Sequence, residues 1–414
     1  MKLLIFAALF SVAMGQQLLS LSSFKGGNVV NNFINTAPYG LFVSAHSDNQ
    51  AALNSIFVVL KDGTQTSLST LRKQTFGKLD PYVVTESAYL ITSLTTNQLA
   101  ALKGVIYLTT TAQLNNKNFA VYEISSASTF NLQTVAEDTT TVFLNTHMGT
   151  NPYKSTVISQ WKQDSRSFSY LYAGIPQDTP EPINHHIFSN PVHTESLDAT
   201  QSVFIPNVEK FSLATTEAFY LKTSRGGPSF RIEPSYYNID GSTTTATTTT
   251  GFYMKPLGGD ETSATVHVRR DTKYSGVCGA STVGKLQTGG KVSVSINGGL
   301  YDFDESAAPN DFASPWTVKF IGENFKISST NGKSGVYYVQ YFVQQGPLNS
   351  GTPAPGAPTV PGRVETTTKS SGNTVNPPVP VPTVPGRVHT TTKSSSTHQL
   401  FITLIVFISS FGFL

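Results

Sequence analysis

Short runs of alternating apolar and polar residues recur along this 414-residue chain between Gln16 and Pro347. The runs are rich in Thr, Val, Phe and Tyr, and turn residues such as Asp62-Gly63 and Asn297-Gly298 separate them. A period of two residues is typical of a strand with one buried face, and Asp-Gly and Asn-Gly favour tight hairpin turns. No long run with the 3.6-residue period of a helix accompanies them. The pattern predicts an all-β fold built from half-buried antiparallel strands.

A partial internal repeat suggests how these strands are divided. Residues Leu41–Lys61 (LFVSAHSDNQAALNSIFVVLK) align without gaps on Val142–Lys162 (VFLNTHMGTNPYKSTVISQWK), so that Phe42 matches Phe143. Further on, Thr85–Ser93 (TESAYLITS) resembles Thr216–Ser224 (TEAFYLKTS) at a larger offset. If the chain is duplicated, the two phenylalanines face the cores of their units, and the second copy carries an insertion that projects as a surface loop. Chance similarity between β-rich segments is the alternative.

Units of about 110 residues with regularly spaced strands fit β-sandwiches or jelly rolls. We expect two or three such units in series. Their expected limits are residues 16–126, residues 127–235 with an inserted loop at 174–203, and residues 236–347.

The N-terminus has the features of a secretory signal peptide, expected at residues 1–15. Lys2 precedes the apolar run Leu3–Ala13, and small residues precede an expected cleavage between Gly15 and Gln16. A buried N-terminal strand or helix is the alternative.

The C-terminal residues 400–414 (LFITLIVFISSFGFL) are uncharged and apolar. The segment is shorter than the about 20 residues of a spanning helix, and its position after a polar spacer is typical of a GPI-attachment signal. A short tail anchor and a tail packed against the body are the alternatives. The attachment residue requires a small side chain, and the candidates are Thr390, Thr391, Thr392 and Ser394.

Residues 348–399 are rich in Pro, Thr and Ser and contain a direct repeat of thirteen residues. Pro358–Ser370 reads PTVPGRVETTTKS, and Pro382–Ser394 reads PTVPGRVHTTTKS. This composition favours an extended, disordered stalk that carries O-linked glycans; a plain disordered linker is the alternative.

The single cysteine, Cys278, excludes a disulfide within the chain, so apolar burial must hold the body together. Cys278 fits a small buried apolar residue, and a reactive or intermolecular thiol is the alternative. No Asn-x-Ser/Thr sequon is present, so we expect no N-glycosylation. The net charge of +3 arises in the leader and the stalk. A near-neutral body excludes nucleic acid as a partner.

Sequence motifs for catalysis are missing: there is no Gly-x-Ser-x-Gly, P-loop, His-Glu-x-x-His or dinucleotide-binding glycine pattern. We therefore expect no catalytic residues and no cofactor. Three weaker sets remain, each with an ordinary structural explanation as its alternative. The imidazoles in the expected insertion are candidate ligands for zinc. The carboxylates after the strand at Leu300 are candidate ligands for calcium. The third set is a pair of histidines at matching positions of the internal repeat. These sets are His185, His186 and His193; Asp302, Asp304 and Asp311; and His46 with His147.

The strands AYLITS and AFYLKTS and the segment GVYYVQYF give the body a resemblance to nematode secreted CUB-like proteins. The resemblance covers most of the body. CUB domains carry paired cysteines that this chain lacks, so no calcium or ligand residues are transferred. The resemblance implies a protein of an epithelial surface that serves innate defence and has no catalytic role.

Together these features predict a non-enzymatic binding or adhesion protein, GPI-anchored at the extracellular face of the plasma membrane. Its expected partner is a surface glycan, a protein or a microbial ligand. Two alternatives belong to other classes. An extracellular carbohydrate-active hydrolase would need two carboxylates about 5–10 Å apart in a groove. A structural coat protein would self-associate extensively.

Overall fold

The computed structural model shows a body made almost entirely of β-sheets, which confirms the all-β fold. It describes residues 15–133, 138–146, 155–177, 186–195, 200–214, 216–235, 241–245, 248–255, 263–268, 277–286, 291–296, 299–304, 312–314, 320–321, 324–330 and 335–344. The stalk and the C-terminal apolar segment lie outside these ranges. So does most of the leader.

Within the described ranges, helices are short and connect strands. The α-helices are α1 (Gln50–Leu53), α2 (Leu68–Leu71), α3 (Thr96–Ala100) and α4 (Thr111–Leu114), and two 3₁₀ turns span Leu21–Ser23 and Ser47–Asn49. Helix α3 begins at a capping box, in which the Thr95 hydroxyl accepts the Gln98 N–H and the Gln98 side chain accepts the Thr95 N–H.

The first two sheets form a sandwich. Sheet I has the strand order β1 (Gln17–Ser20), β10 (Gly104–Leu108), β3 (Tyr39–Ala45), β8 (Tyr82–Val84). Sheet II has the order β2 (Asn31–Asn32), β9 (Ala88–Thr92), β4 (Ile56–Leu60), β5 (Gln65–Ser67). Their facing side chains, such as Leu41, Ile56, Leu90 and Ile106, form one apolar core.

The tight turn expected at Asp62-Gly63 is confirmed between β4 and β5. Gly63 has a φ of +85°, and the Asp62 carboxylate accepts the Thr64 N–H at 2.8 Å. This hydrogen bond lowers the pKa of the Asp62 carboxyl below its usual value.

The next two sheets form a second sandwich. Sheet III has seven strands in the order β16 (His186–Asn190), β15 (Phe168–Ala173), β21 (Ala218–Ser224), β13 (Thr139–Asn145), β11 (Phe119–Ile124), β7 (Lys78–Leu79), β6 (Gln74–Thr75). Sheet IV has the order β12 (Ser128–Asn131), β22 (Ser229–Glu233), β14 (Ser155–Lys162), β20 (Phe211–Ala214). Phe143, Trp161, Phe219 and Phe230 belong to the core that the two sheets share.

Sheet I also packs against sheet III, so that the sheets stack in the order II, I, III, IV. The layer between I and III contains Phe42 and Tyr107 from sheet I and Val142, Tyr170 and Tyr220 from sheet III. Both inner sheets are therefore covered on two faces. The sequence predicted strands with a single buried face, but β3 is buried at all seven positions because sheet III covers its second face.

The remaining strands form a ribbon and two further sheets. The ribbon pairs β17 (Val192–Glu195) with β18 (Thr200–Val203). Sheet V has the order β19 (Asn207–Val208), β24 (Thr249–Lys255), β32 (Gly335–Gln344), β26 (Val277–Leu286), β29 (Phe312–Ser314), and β30 (Phe320–Ile321) also pairs with β26. Sheet VI has the order β23 (Gly241–Thr245), β25 (Ser263–Val268), β31 (Asn324–Thr330), β27 (Lys291–Ile296), β28 (Gly299–Asp304).

Three of the described strand pairs are parallel, although the sequence predicted antiparallel pairing throughout. They are β11 with β13, β19 with β24 and β23 with β25. The pair β11–β13 crosses the unit boundary expected at residue 126, and β6, β7 and β11 all lie in sheet III beside strands of the second expected unit. The sheets therefore cross the expected limits 16–126, 127–235 and 236–347. That the chain folds in units with these limits remains a prediction.

The duplication is reproduced only in part. In both aligned copies the chain crosses between facing sheets, from β3 to β4 and from β13 to β14. Phe42 and Phe143 are both buried, but Phe42 faces sheet III, whereas Phe143 faces the core of its own sandwich. The strands AYLITS and AFYLKTS also differ in place, since β9 pairs with β4 whereas β21 pairs with β13.

The insertion at 174–203 is not a simple loop, and this part of the prediction was wrong. Within it, β16 extends sheet III at its edge, and β17 and β18 form the ribbon. Pro191 falls between β16 and β17, where it interrupts neither strand. Ile187 and Phe188 bury their side chains in the sheet III–IV core, which explains why this segment forms a strand.

Candidate functional site

The three histidines proposed for zinc are not brought together in the described part of the chain. His186 lies on β16, where its ring stacks on Tyr172 with centroids 5.0 Å apart and meets Tyr170 edge-on at 5.6 Å. His193 lies on β17 opposite Ser202, and His185 lies outside the described residues. The ring of His186 is therefore part of an aromatic stack.

The carboxylates proposed for calcium were expected in a loop, but two of them lie in a strand. Asp302 and Asp304 belong to β28, opposite Ser293 and Lys291 of β27. Asp311 lies outside the described residues. Among the residues that the structure describes, no group of three His, Cys, Asp or Glu side chains is arranged to hold a metal ion.

The other sequence candidates divide between described and undescribed segments. His46 lies at the end of β3, where its Nδ1 is 3.3 Å from the Asp48 carboxylate; His147 lies outside the described residues. Gln16 precedes β1, and its side-chain oxygen accepts a hydrogen bond from the Tyr107 hydroxyl. Cys278 lies on β26. The attachment candidates Thr390, Thr391, Thr392 and Ser394 lie outside the described residues.

A buried ion pair that the sequence did not reveal links the two sandwiches. The Glu123 carboxylate on β11 has no exposed side-chain surface, and it accepts hydrogen bonds from Arg72 Nη2 at 2.9 and 2.7 Å. It also accepts the Ala45 N–H at 3.1 Å, while Arg72 Nη1 donates to Gln50. A buried carboxylate needs such partners, because an uncompensated charge in the interior is strongly unfavourable. This group of residues joins the sandwiches, and it offers no free carboxylate for chemistry.

The second buried polar group ties the edge of sheet III to sheet V. The Gln340 amide on β32 accepts the Ser189 N–H and donates to the Ser189 carbonyl, both at 2.8 Å. One residue further along, the Asn190 side chain makes the matching pair of hydrogen bonds with the backbone of Ile205. The Gln340 side chain thus pairs with the backbone of β16 as a neighbouring strand would, and the Asn190 side chain of β16 pairs in the same way with the backbone of Ile205.

Exposed apolar side chains are a different kind of candidate. The large hydrophobic residues that stand out as exposed in the described part of the chain all lie in its first quarter: Val29 (44%), Val30 (49%), Ile34 (57%), Phe76 (100%) and Val83 (46%). Val29, Val30 and Ile34 surround the edge strand β2, and Phe76 lies in the turn between β6 and β7. The sequence pattern did not single them out, although Phe76-Gly77 between Lys73 and Lys78 indicates a turn that contains an aromatic residue.

Some solved structures share weak similarity with this chain. One is the insecticidal delta-endotoxin Cry8Ea1 of Bacillus thuringiensis, with 10% identity and a TM-score of 0.17 over 44% of this chain and 42% of the endotoxin. Another is Sulfolobus Turreted Icosahedral Virus, with 11% identity and a TM-score of 0.18 over 80% of this chain and 82% of the other. This chain thus spans less than half of the endotoxin. TM-scores of this size carry no argument about fold or function.

No curated protein matches the chain. No helix in the described part of the chain is long and apolar enough to cross a membrane. A family model described as transmembrane glycoprotein matches residues 36–409, which is most of the sequence. The chain therefore belongs to this transmembrane glycoprotein family, and it is a surface or envelope glycoprotein.

Proposed function

We propose that this glycoprotein is a non-enzymatic binding or adhesion protein at the extracellular surface of the plasma membrane. A C-terminal GPI anchor and the Pro/Thr/Ser-rich stalk attach it there. Its ligand is a glycan, a protein or a microbial surface component.

The observation that supports binding is the exposed apolar group around β2. Val29, Val30 and Ile34 lie at the edge of sheet II, while the apolar side chains behind them, such as Phe33 and Leu90, are buried in the core. The short edge strand β2 has one neighbour, β9. An edge strand flanked by exposed apolar side chains is the kind of surface that a partner covers.

Two observations favour binding over hydrolysis of a carbohydrate. A glycosidase needs a pair of carboxylates that flank the scissile bond. In the described body Glu123 is engaged by Arg72, and the Glu209 carboxylate accepts the Tyr341 hydroxyl at 2.6 Å. Each of these carboxylates accepts a hydrogen bond from a side chain of the fold. The family description, a glycoprotein, points in the same direction.

The anchor is tested with the full-length chain expressed on cultured cells. Phosphatidylinositol-specific phospholipase C should release an epitope-tagged protein into the medium. Deletion of residues 400–414 should give secretion. Resistance to the phospholipase, with the tail still present by mass spectrometry, would contradict the GPI anchor.

The binding surface is tested by covering it with a glycan. Val30→Thr completes an N-glycosylation sequon that begins at the exposed Asn28. Gln133→Thr completes one at the exposed Asn131, on sheet IV, and serves as the matched control. Cells that display each variant are probed with fixed fluorescent bacteria and with a printed glycan array. Loss of binding by the first variant alone supports the edge of sheet II as the contact surface, and equal binding by both excludes it.

A further inference from the structure

We propose that the turn between β6 and β7 is a membrane-contact site, in which Phe76 enters the interface of an anionic lipid bilayer and the neighbouring lysines contact the headgroups. This site is separate from the C-terminal anchor and does not depend on it. It also lies outside the apolar group around β2.

The hairpin has a two-residue turn. Thr75 pairs with Lys78 and Gln74 with Leu79, so that Phe76 and Gly77 form the connection. Both have positive φ, +50° and +79°. Type I′ hairpins require positive φ at both turn residues, and Asn-Gly is the sequence that favours them most. Phe at the first of these positions is unfavourable for the turn, so the local structure does not account for it.

Phe76 also makes no contribution to the core. Its side chain is fully exposed, whereas Leu79 on the partner strand is 2% exposed and packs between sheets I and III. A fully exposed phenylalanine leaves its whole apolar surface in water, and a bilayer interface would remove that surface from water. The turn geometry and the core packing do not account for a phenylalanine at position 76. A contact with lipid would account for it.

The hairpin is joined to strand β11 at its turn and at Lys78. The Gly77 carbonyl accepts the Glu123 N–H at 2.9 Å, and the Glu123 side chain is in turn fixed by Arg72. Lys78 pairs with Tyr122 of β11. The turn is therefore hydrogen-bonded to sheet III, so insertion would require little ordering of the chain.

The charges beside the tip select an anionic surface. Lys73 and Lys78 are exposed, and alternation along the hairpin puts both on the face opposite to the buried Leu79. Asp80, opposite Lys73, is the one acidic residue in the segment 73–80. A turn with one fully exposed aromatic side chain and two exposed lysines suits a headgroup layer better than a protein pocket, which would have to enclose the ring.

One such tip binds weakly, with a dissociation constant of about 1 mM from one phenylalanine and two lysines. Many copies on one surface raise the effective affinity by about 10²–10⁴-fold. The test therefore uses the full-length chain displayed on cells at high density. The probes are fluorescent vesicles of phosphatidylcholine alone or of phosphatidylcholine mixed with phosphatidylserine.

The central variant is Phe76→Asn. It removes the aromatic ring and places Asn-Gly in the turn, so the hairpin is retained or strengthened. We expect capture of the phosphatidylserine vesicles to fall about tenfold or more, since each 1.4 kcal/mol of lost burial corresponds to a factor of ten. Phe76→Trp should retain capture. Val83→Gln removes another exposed apolar side chain and should leave capture unchanged.

The lysines are tested by Lys73→Gln combined with Lys78→Gln. This variant should reduce capture of phosphatidylserine vesicles to the level of phosphatidylcholine vesicles, and raised salt should weaken the wild type in the same way. Undiminished capture by Phe76→Asn would overturn the proposal. So would a loss of cell–cell clustering by Phe76→Asn without any change in vesicle capture, because it would identify a protein partner.

Antibody staining of an epitope tag counts the displayed molecules. A loss of surface display is thereby distinguished from a loss of vesicle binding by the turn that contains Phe76. A chain that is secreted instead of displayed is coupled to beads through the tag, and the same vesicles and variants are used.

Discussion

Two strands with closely similar sequences lie in different layers of this protein. Strand β9 comes from TESAYLITS in the outer sheet II, and β21 comes from TEAFYLKTS in the inner sheet III. Burial alternates along β9, where Tyr89 is partly exposed, whereas the first four residues of β21 are all buried. The aligned Tyr220 has no exposed surface and stacks on Tyr172 with centroids 4.8 Å apart and an angle of 7°.

The difference lies on one face of the strand. Leu90 and Leu221, which align, both face the core of their own sandwich. The tyrosine face of β9 meets solvent, while that of β21 is covered by sheet I. Similar residues can therefore form a one-sided or a two-sided strand, and the neighbouring sheet decides which. This comparison leads to four predictions.

The largest difference is expected between the two aligned tyrosines. Tyr220→Ala should lower the free energy of unfolding by about 3–5 kcal/mol, because it leaves a cavity between two sheets. Tyr89→Ala should cost about 1 kcal/mol or less, since its ring is partly in water. Denaturant unfolding measures both, and Leu90→Ala and Leu221→Ala should give similar losses as controls. Equal losses for the two tyrosines would contradict the layered arrangement.

The contribution of an ion pair to stability should also depend on whether the pair lies between layers or at the surface. Glu123→Gln leaves the buried Arg72 guanidinium without its carboxylate, and we expect a loss of about 3 kcal/mol. The pair Arg166–Asp164 is exposed, with 79% and 54% of the side-chain surfaces in water, so Arg166→Ala should leave the free energy of unfolding nearly unchanged. A smaller loss for Glu123→Gln than for Arg166→Ala would show that the buried pair does not join the sandwiches.

Ionisation of tyrosine sharpens the comparison further. Burial raises the pKa of Tyr170, between sheets I and III, and of Tyr39, in sheet I, to about 12. The unfolded chain releases these protons near pH 10, so their contribution to stability is complete below pH 10 and is lost as the pH rises toward 12. Absorbance at alkaline pH should show exposed tyrosines ionising first, with cooperative unfolding above pH 10. Tyr170→Phe should move that unfolding to higher pH, and an unchanged midpoint would contradict the contribution of Tyr170.

The smallest effect should come from reducing agent. Cys278 is the single cysteine, so no disulfide joins any of the layers within a chain. Thermal unfolding should be the same with and without reductant. A marked fall in the midpoint would show that Cys278 links two chains.

The fold class could be predicted because alternation and turn residues are local signals. Asp62-Gly63 identified the hairpin between β4 and β5. The capping box at the start of α3 likewise depends on two residues that are close in sequence, Thr95 and Gln98. The stacking of sheet I on sheet III was not predictable in the same way. The apolar sequences of β3 and β10 are compatible with one covered face or with two, so they do not reveal the second sheet. The parallel pair β11–β13 also depends on a long-range arrangement that alternation does not encode.

The polar contacts were harder still to predict. Arg72 and Glu123 are 51 positions apart, and neither lies in a recognisable motif. Phe76 is a different case. Its position before Gly77 and between two lysines was visible in the sequence, but an aromatic residue in a β-rich chain is read as core unless the turn is recognised.

The hydrogen bonds between Ser189 and Gln340 have a consequence for how the chain is made. They join residues 151 positions apart, and Gln340 lies on the last described strand. During synthesis, β16 can join β15 long before residue 340 emerges, and until then the outer edge of β16 offers its backbone groups to any other strand nearby. The nascent protein thus passes through a stage in which sheet III has an open edge. Arrival of β32 engages the Ser189 backbone through the Gln340 side chain, which removes one site for mispairing between chains.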